Sequence, residues 1–247
     1  MKNIELDKKV EQIEGKNRVL SGFQLKFVAF IAFLWSLFQL WHASPLPFTL
    51  GFGVFIDLPA RAIHLGFALF IAFLAFPLLK KNRDEKFNIF SIFISLLALF
   101  STLYIFVVYE GLVNRNGILL VNSFNLFGNQ IKIPTELIIG LIGIFLLLEG
   151  TRRSIGLPLV IVALVFLIYS YFGQHMPDII SHQGLSFNRL VGYHWFGAEA
   201  IFGIPISVSV SFVFLFVLFG SMLDYAGGGR YFLNLAIAMV GHLKVGP

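Results

Sequence analysis

Residues 87–109 read FNIFSIFISLLALFSTLYIFVVY, 23 residues without a single charge. A helix rises about 1.5 Å per residue and the hydrocarbon core of a bilayer is about 30 Å thick, so about 20 apolar residues make one crossing. This stretch is long enough. Working outward from it, Phe27–Ala43, Ala62–Leu79, Ser154–Pro177 and Ala200–Leu223 are runs of the same kind. Leu137–Leu148 is a shorter run with Glu136 and Glu149 at its ends, and it reaches across by borrowing Ile131–Thr135 or by tilting little. A seventh run starts at Tyr231 and stops at Pro247. The expected fold is an all-α polytopic membrane helix bundle of about six spans plus a truncated seventh.

Composition agrees. The 247 residues are 57% hydrophobic and 13% charged, with 30 Phe, and the mean hydropathy is +0.85. A soluble domain carries about 25% charged residues. These values exclude a soluble globular surface and disfavour nucleic-acid binding, disorder and a secreted disulfide scaffold. The absence of Cys removes thiol catalysis and thiolate metal sites. The net charge of +5 fits Lys and Arg held at a cytoplasmic face.

Charge asymmetry orients the spans. With six crossings and a cytoplasmic N-terminus, 13 Lys and Arg lie inside and four, Arg61, Arg115, Lys132 and Arg189, lie outside. If the fourth run does not cross, the division becomes 11 to 6. The six-span arrangement fits the positive-inside rule better. No cleavable signal is visible. In the polar leader, Leu6, Val10 and Ile13 stand at helical spacing, which suits either a short interfacial helix or a polar tail.

An intramembrane charge is expensive and therefore a functional candidate, and these runs nearly lack them. Lys26 can snorkel to the headgroups. Glu149 precedes Arg152 and Arg153 at i+3 and i+4, a spacing that allows pairing along one helical face. The alternative is an ordinary cytoplasmic turn. The six His show neither H-x-x-x-H spacing nor an H-E-x-x-H context, so no metal site is expected. The run from Ala226 to Arg230 lacks the G-K-[ST] ending of a phosphate loop and reads as a flexible turn. Pro205 stands at the start of a span, where a first helical turn tolerates it. Ser207, Ser209 and Ser211 alternate with Val. Ser207 and Ser211 share a face, suited to close helix packing or to lining a substrate path.

Three groups of residues carry a family resemblance. The first is Arg61-Ala62-Ile63-His64-Leu65-Gly66-Phe67-Ala68-Leu69, with Ala72-Phe73-Leu74 and Pro77. The second is Leu148-Glu149-Gly150-Thr151-Arg152-Arg153 with Gly156. The third is Ile201-Phe202-Gly203-Ile204-Pro205, Val208-Ser209, Phe212 through Gly220, and Ala226-Gly227-Gly228-Gly229. Together they resemble the fused permeases of tripartite ATP-independent periplasmic (TRAP) transporters, the branch that joins the small and large membrane subunits in one chain. The resemblance covers about Arg61 to Pro247. Ala200 and Ser207 depart from it, since the family pattern usually has Gly at both.

The resemblance implies secondary transport of an organic anion such as a carboxylate, delivered by a periplasmic solute-binding protein and driven by a sodium or proton gradient, and no enzymatic activity. It implies a bacterial inner-membrane location with the N-terminus in the cytoplasm. The organisation it suggests is a cytoplasmic leader (1–22), a small-subunit-like scaffold (23–173), a periplasmic loop (174–199) and the start of a large-subunit-like permease domain (200–247). No cofactor is expected. The coupling ion and the substrate are expected to bind in the remainder of the large permease domain beyond Pro247, so this portion is not expected to transport alone. The other partner is membrane lipid. Motif or packing candidates are Arg61, His64, Glu149, Arg152, Arg153, Gly203, Pro205, Ser207, Ser209, Ser211 and Gly220. The alternative is a structural scaffold subunit that assembles with a separate large permease subunit. A membrane-embedded enzyme is disfavoured, because no paired carboxylates or nucleophile–base set is visible.

Overall fold

The computed structural model describes residues 18–55, 57–78, 87–115, 118–126 and 129–240. The leader positions Leu6, Val10 and Ile13 lie outside the described residues, as do Lys80, Lys81, Arg83, Lys86, His242 and Lys244. Among the described residues five helices are long and apolar enough to cross a bilayer: α1 (Phe23–Ala43), α3 (Leu58–Ala75), α4 (Ile89–Asn114), α6, which runs as Leu157–Phe172 with a 3-10 turn Gly173–His175, and α8 (Ile204–Tyr225). A short α2 (Leu46–Leu50) lies between α1 and α3. The fourth run becomes α5 (Thr135–Ser154), 20 residues and so about 30 Å long. It gains its length at the C-terminal end, through Glu149–Ser154. Of the expected extension through Ile131–Thr135 only Thr135 joins the helix, because Ile131 and Ile133 pair in a strand.

That strand is part of a feature the apolar runs did not announce. Asn122–Leu126 (β1) and Asn129–Ile133 (β2) form an antiparallel hairpin, with Asn122 opposite Ile133 and Leu126 opposite Asn129. It joins α4 to α5. The segment expected as a bare loop, 174–199, also carries structure: α7 (Phe187–Phe196). The glycine run is no flexible turn. Gly228 opens α9 (Gly228–Val240), and only Ala226 and Gly227 turn between it and α8.

The core forms where α3 lies along α4. Ala62, Leu65, Leu69 and Phe73 of α3 are buried with Ile94, Ala98 and Ile105 of α4. Hydroxyls inside this interface return to their own helix. Ser95 donates to the Ser91 carbonyl at 2.7 Å, and Ser101 to that of Ala98 at 2.9 Å. An apolar surrounding leaves no water to satisfy them, so the helix backbone does.

α7 docks on α5 through a notch made by two glycines. A methyl group added at Gly143 would overlap the Trp195 indole, and one at Gly140 would overlap Val191. Trp195 and Val191 are fully buried. The indole Nε1 donates to the Ser101 carbonyl at 3.3 Å, which ties α7 to α4 as well. By contrast, Phe30, Phe93, Val107, Phe145 and Phe166 point outward. Exposed apolar side chains around a hydrogen-bonded helical bundle are what a bilayer requires of a spanning protein.

Candidate functional site

The sequence candidates separate into two places. Glu149, Arg152 and Arg153 lie together at the C-terminal end of α5. Arg152 grips Glu149 from both sides, Nε to Oε2 at 2.7 Å and Nη2 to Oε1 at 2.8 Å. Arg153 Nε reaches Oε1 at 2.8 Å. The two arginines differ in setting. Arg153 is buried, its guanidinium 4.9 Å from the centre of the Phe73 ring on α3. Arg152 is part-exposed and also donates to the Leu78 carbonyl at 3.4 Å. The cluster therefore fastens the end of α5 to the end of α3.

Arg61, His64, Gly203, Pro205, Ser207, Ser209 and Ser211 converge where the start of α3 meets the start of α8. Arg61 and His64 are three residues apart, on one face of α3. Arg61 forms an ion pair with Asp57, one turn earlier. Its Nη1 donates to the carbonyls of Phe202, at 2.7 Å, and Ala198, at 3.3 Å. The backbone turns sharply here. A side chain at Gly203 would collide with the carbonyls of Glu199 and Ala200, so the close approach needs glycine. Gly203 caps α8, and Pro205 sits in its first turn, where no backbone N–H is missed.

His64 lies deeper. Its Nδ1 takes hydrogen bonds from Trp35 Nε1, at 3.2 Å, and from the Gln39 carboxamide, both on α1. An indole N–H can only donate, so Nδ1 is the acceptor and Nε2 carries the hydrogen. Nε2 then donates to Ser209 Oγ at 3.1 Å. Ser209 is the first residue of a π-helical turn, Ser209–Val213, that interrupts the α-helical course of α8. Ser211 Oγ donates to the Ser207 carbonyl at 2.9 Å. His42, Asp57, Ala60, Arg61, Ser207, Val210 and Ser211 line a cleft of about 290 Å³ beside this junction. At Gly220, farther along α8, an added methyl group would meet nothing within 4 Å among the described residues.

The junction therefore couples an N-terminal helix pair, α1 and α3, to the start of α8. Residues 142–247 match the family model of the DctM component of the tripartite ATP-independent periplasmic transporter. The comparison with curated proteins and the comparison with solved structures gave no match. The DctM segment begins inside α5 and contains α6, α7, α8 and α9. It takes in helices that lie before residue 200, where the sequence suggested a boundary. Arg61 and His64 lie outside the DctM segment, and Phe202 and Ser209 lie within it. The match supports a TRAP-type permease, and the apolar helices make the protein a multi-pass membrane protein.

Sequence reading missed several partners. Trp35 and Gln39 lie in a run that reads as an uncharged membrane span, and the position of His64 on the neighbouring helix gives them a role. Glu136 was noted only as the end of a run. It is fully buried and takes hydrogen bonds from Arg115 Nη2 at 2.8 Å, Arg115 Nη1 at 3.3 Å and the Leu120 N–H at 2.6 Å. A lone acid at the edge of an apolar run, with a lone Arg at the end of the preceding run, was the available signal. Among the described residues no group of three His, Asp or Glu is placed to hold a metal ion.

Proposed function

We propose that this chain is the membrane permease component of a binding-protein-dependent secondary transporter of the TRAP type, taking up organic anions such as carboxylates. The observation that carries the reading is the DctM match over 142–247 on a bundle of apolar helices. A sodium or proton gradient drives the uptake. A periplasmic solute-binding protein delivers the anion. The helices ahead of the match, α1, α3 and α4, act as a small-subunit-like scaffold in the inner membrane. A purely structural subunit would have no reason to carry a large-component match, so the match favours the fused arrangement.

Uptake of labelled carboxylates by cells, with and without the chain and its binding protein, tests the reading. With the rest of the large permease domain supplied, uptake is expected to require both this chain and the binding protein. It should collapse when an ionophore dissipates the driving gradient, and survive ATP depletion while that gradient is clamped. Uptake that needs no binding protein, or that follows ATP and ignores the gradient, overturns it.

A further inference from the structure

We infer that the hydrogen bond from His64 to Ser209 holds α8 in its π register and so fixes how residues 214–225 are turned relative to α3. The contact falls on the residue where the wide turn begins. A π turn is an α-helix carrying one extra residue, and such turns are uncommon unless something holds them. If the extra residue were absorbed, every later position would advance by one. That is a rotation of about 100° and a shift of about 1.5 Å along the axis.

Three features make His64 the holder. Its orientation is fixed from behind, because Trp35 and Gln39 both give hydrogens to Nδ1 and leave Nε2–H to face Ser209. The helix start is fixed separately, because Arg61 binds the carbonyls of Ala198 and Phe202. Sliding of the first turn therefore cannot absorb a change at residue 209. Beyond the turn, among the described residues, α8 is not buried against α3 or α4. Val210 is buried, whereas no side chain from Phe214 to Tyr225 is. The C-terminal half of α8 takes its setting from the turn before it. His64 is a positioning residue acting through Ser209, and the inference stands on the helix geometry whether or not the transport reading holds.

The chain has no Cys, so spin labels can be attached at introduced ones. One label goes at Phe93 on α4 and the second at either Ile204 or Ser221, all three exposed. Pulsed electron-resonance distances are then measured on the full chain in lipid. On a helix roughly 10 Å across, a 100° rotation moves an attached group by about 8 Å. Ser209→Ala and His64→Leu should shift the Phe93–Ser221 distance by several ångströms and leave Phe93–Ile204 unchanged. His64→Gln, whose amide nitrogen reaches about where Nε2 stands, should retain the wild-type distances. An unchanged Phe93–Ser221 distance in Ser209→Ala overturns the inference, as does an equal shift at Ile204 and Ser221, which would mean the whole helix has come away. Ser209→Ala leaves α1 and α3 untouched and keeps the test available if His64→Leu does not fold.

Discussion

Glu136 and Arg115 form a two-pronged ion pair in which the carboxylate is fully buried and the guanidinium stays about a quarter exposed. The pair joins the end of α4 to the first turn of α5. Removing one partner of such a pair strands a buried charge, which costs about 3–5 kcal/mol. Arg115→Ala should therefore lower the melting temperature and the yield of the solubilised protein sharply. Replacing both residues, as Arg115→Met with Glu136→Leu, should recover much of the loss, since an apolar pair pays no desolvation cost. A double variant as unstable as Arg115→Ala would show that the charge itself is needed.

The Gly143–Trp195 contact makes a steric prediction. Gly143→Ala drives a methyl into the indole and should destabilise by about 1–3 kcal/mol, the usual range for overpacking. Trp195→Ala opens a cavity at the same place and should cost about 3–5 kcal/mol. Gly143→Ala combined with Trp195→Ala should be less damaging than the two separate costs added. Thermal melts of the four proteins close the cycle, and strict additivity would mean the residues do not touch.

At the other end of α5, Arg152 and Arg153 both hold Glu149 but should not be equivalent. An exposed ion pair contributes about 0–1 kcal/mol, so Arg152→Ala should be mild. Arg153 is buried against Phe73 and its loss removes packing as well as charge. Arg153→Ala should lower the melting temperature more than Arg152→Ala, and Glu149→Gln should add little on top of it. Equal effects of the two arginine changes would contradict the burial difference.

Orientation can be read with single cysteines. The 13-to-4 charge asymmetry puts Ile155 in the cytoplasm and Asn188 outside. Both are exposed. An impermeant thiol reagent, added to cells whose outer membrane is permeable, should label Asn188→Cys and spare Ile155→Cys until the inner membrane is opened. The reverse pattern would invert the topology.

The helices were legible because burial in lipid demands only length and the absence of charge, and Phe87–Tyr109 shows both on its face. The elements that escaped are those whose stability comes from distant partners. α7 is ten residues long, with one His and one Arg, and nothing local marks it for burial. Its place is set by a two-glycine notch more than 40 residues earlier. The β1–β2 hairpin is polar and short, and reads as a loop. At the junction the sequence supplied Arg61 and His64 in one motif and Ser209 in another. That they meet depends on the packing of α3 against α8, and the partners on α1 follow from that packing alone.

The order of the chain also schedules its own assembly. Arg115 leaves the ribosome before Glu136, so the acid at the head of α5 meets its counter-ion as soon as it is made. Trp195 comes more than 50 residues after Gly143. Until then the notch on α5 stands open, a slot prepared for a plug still to be synthesised. A nascent chain stalled before residue 195 should therefore hold α4 and α5 together yet leave the notch of α5 unfilled, and closure of the bundle waits on one late tryptophan.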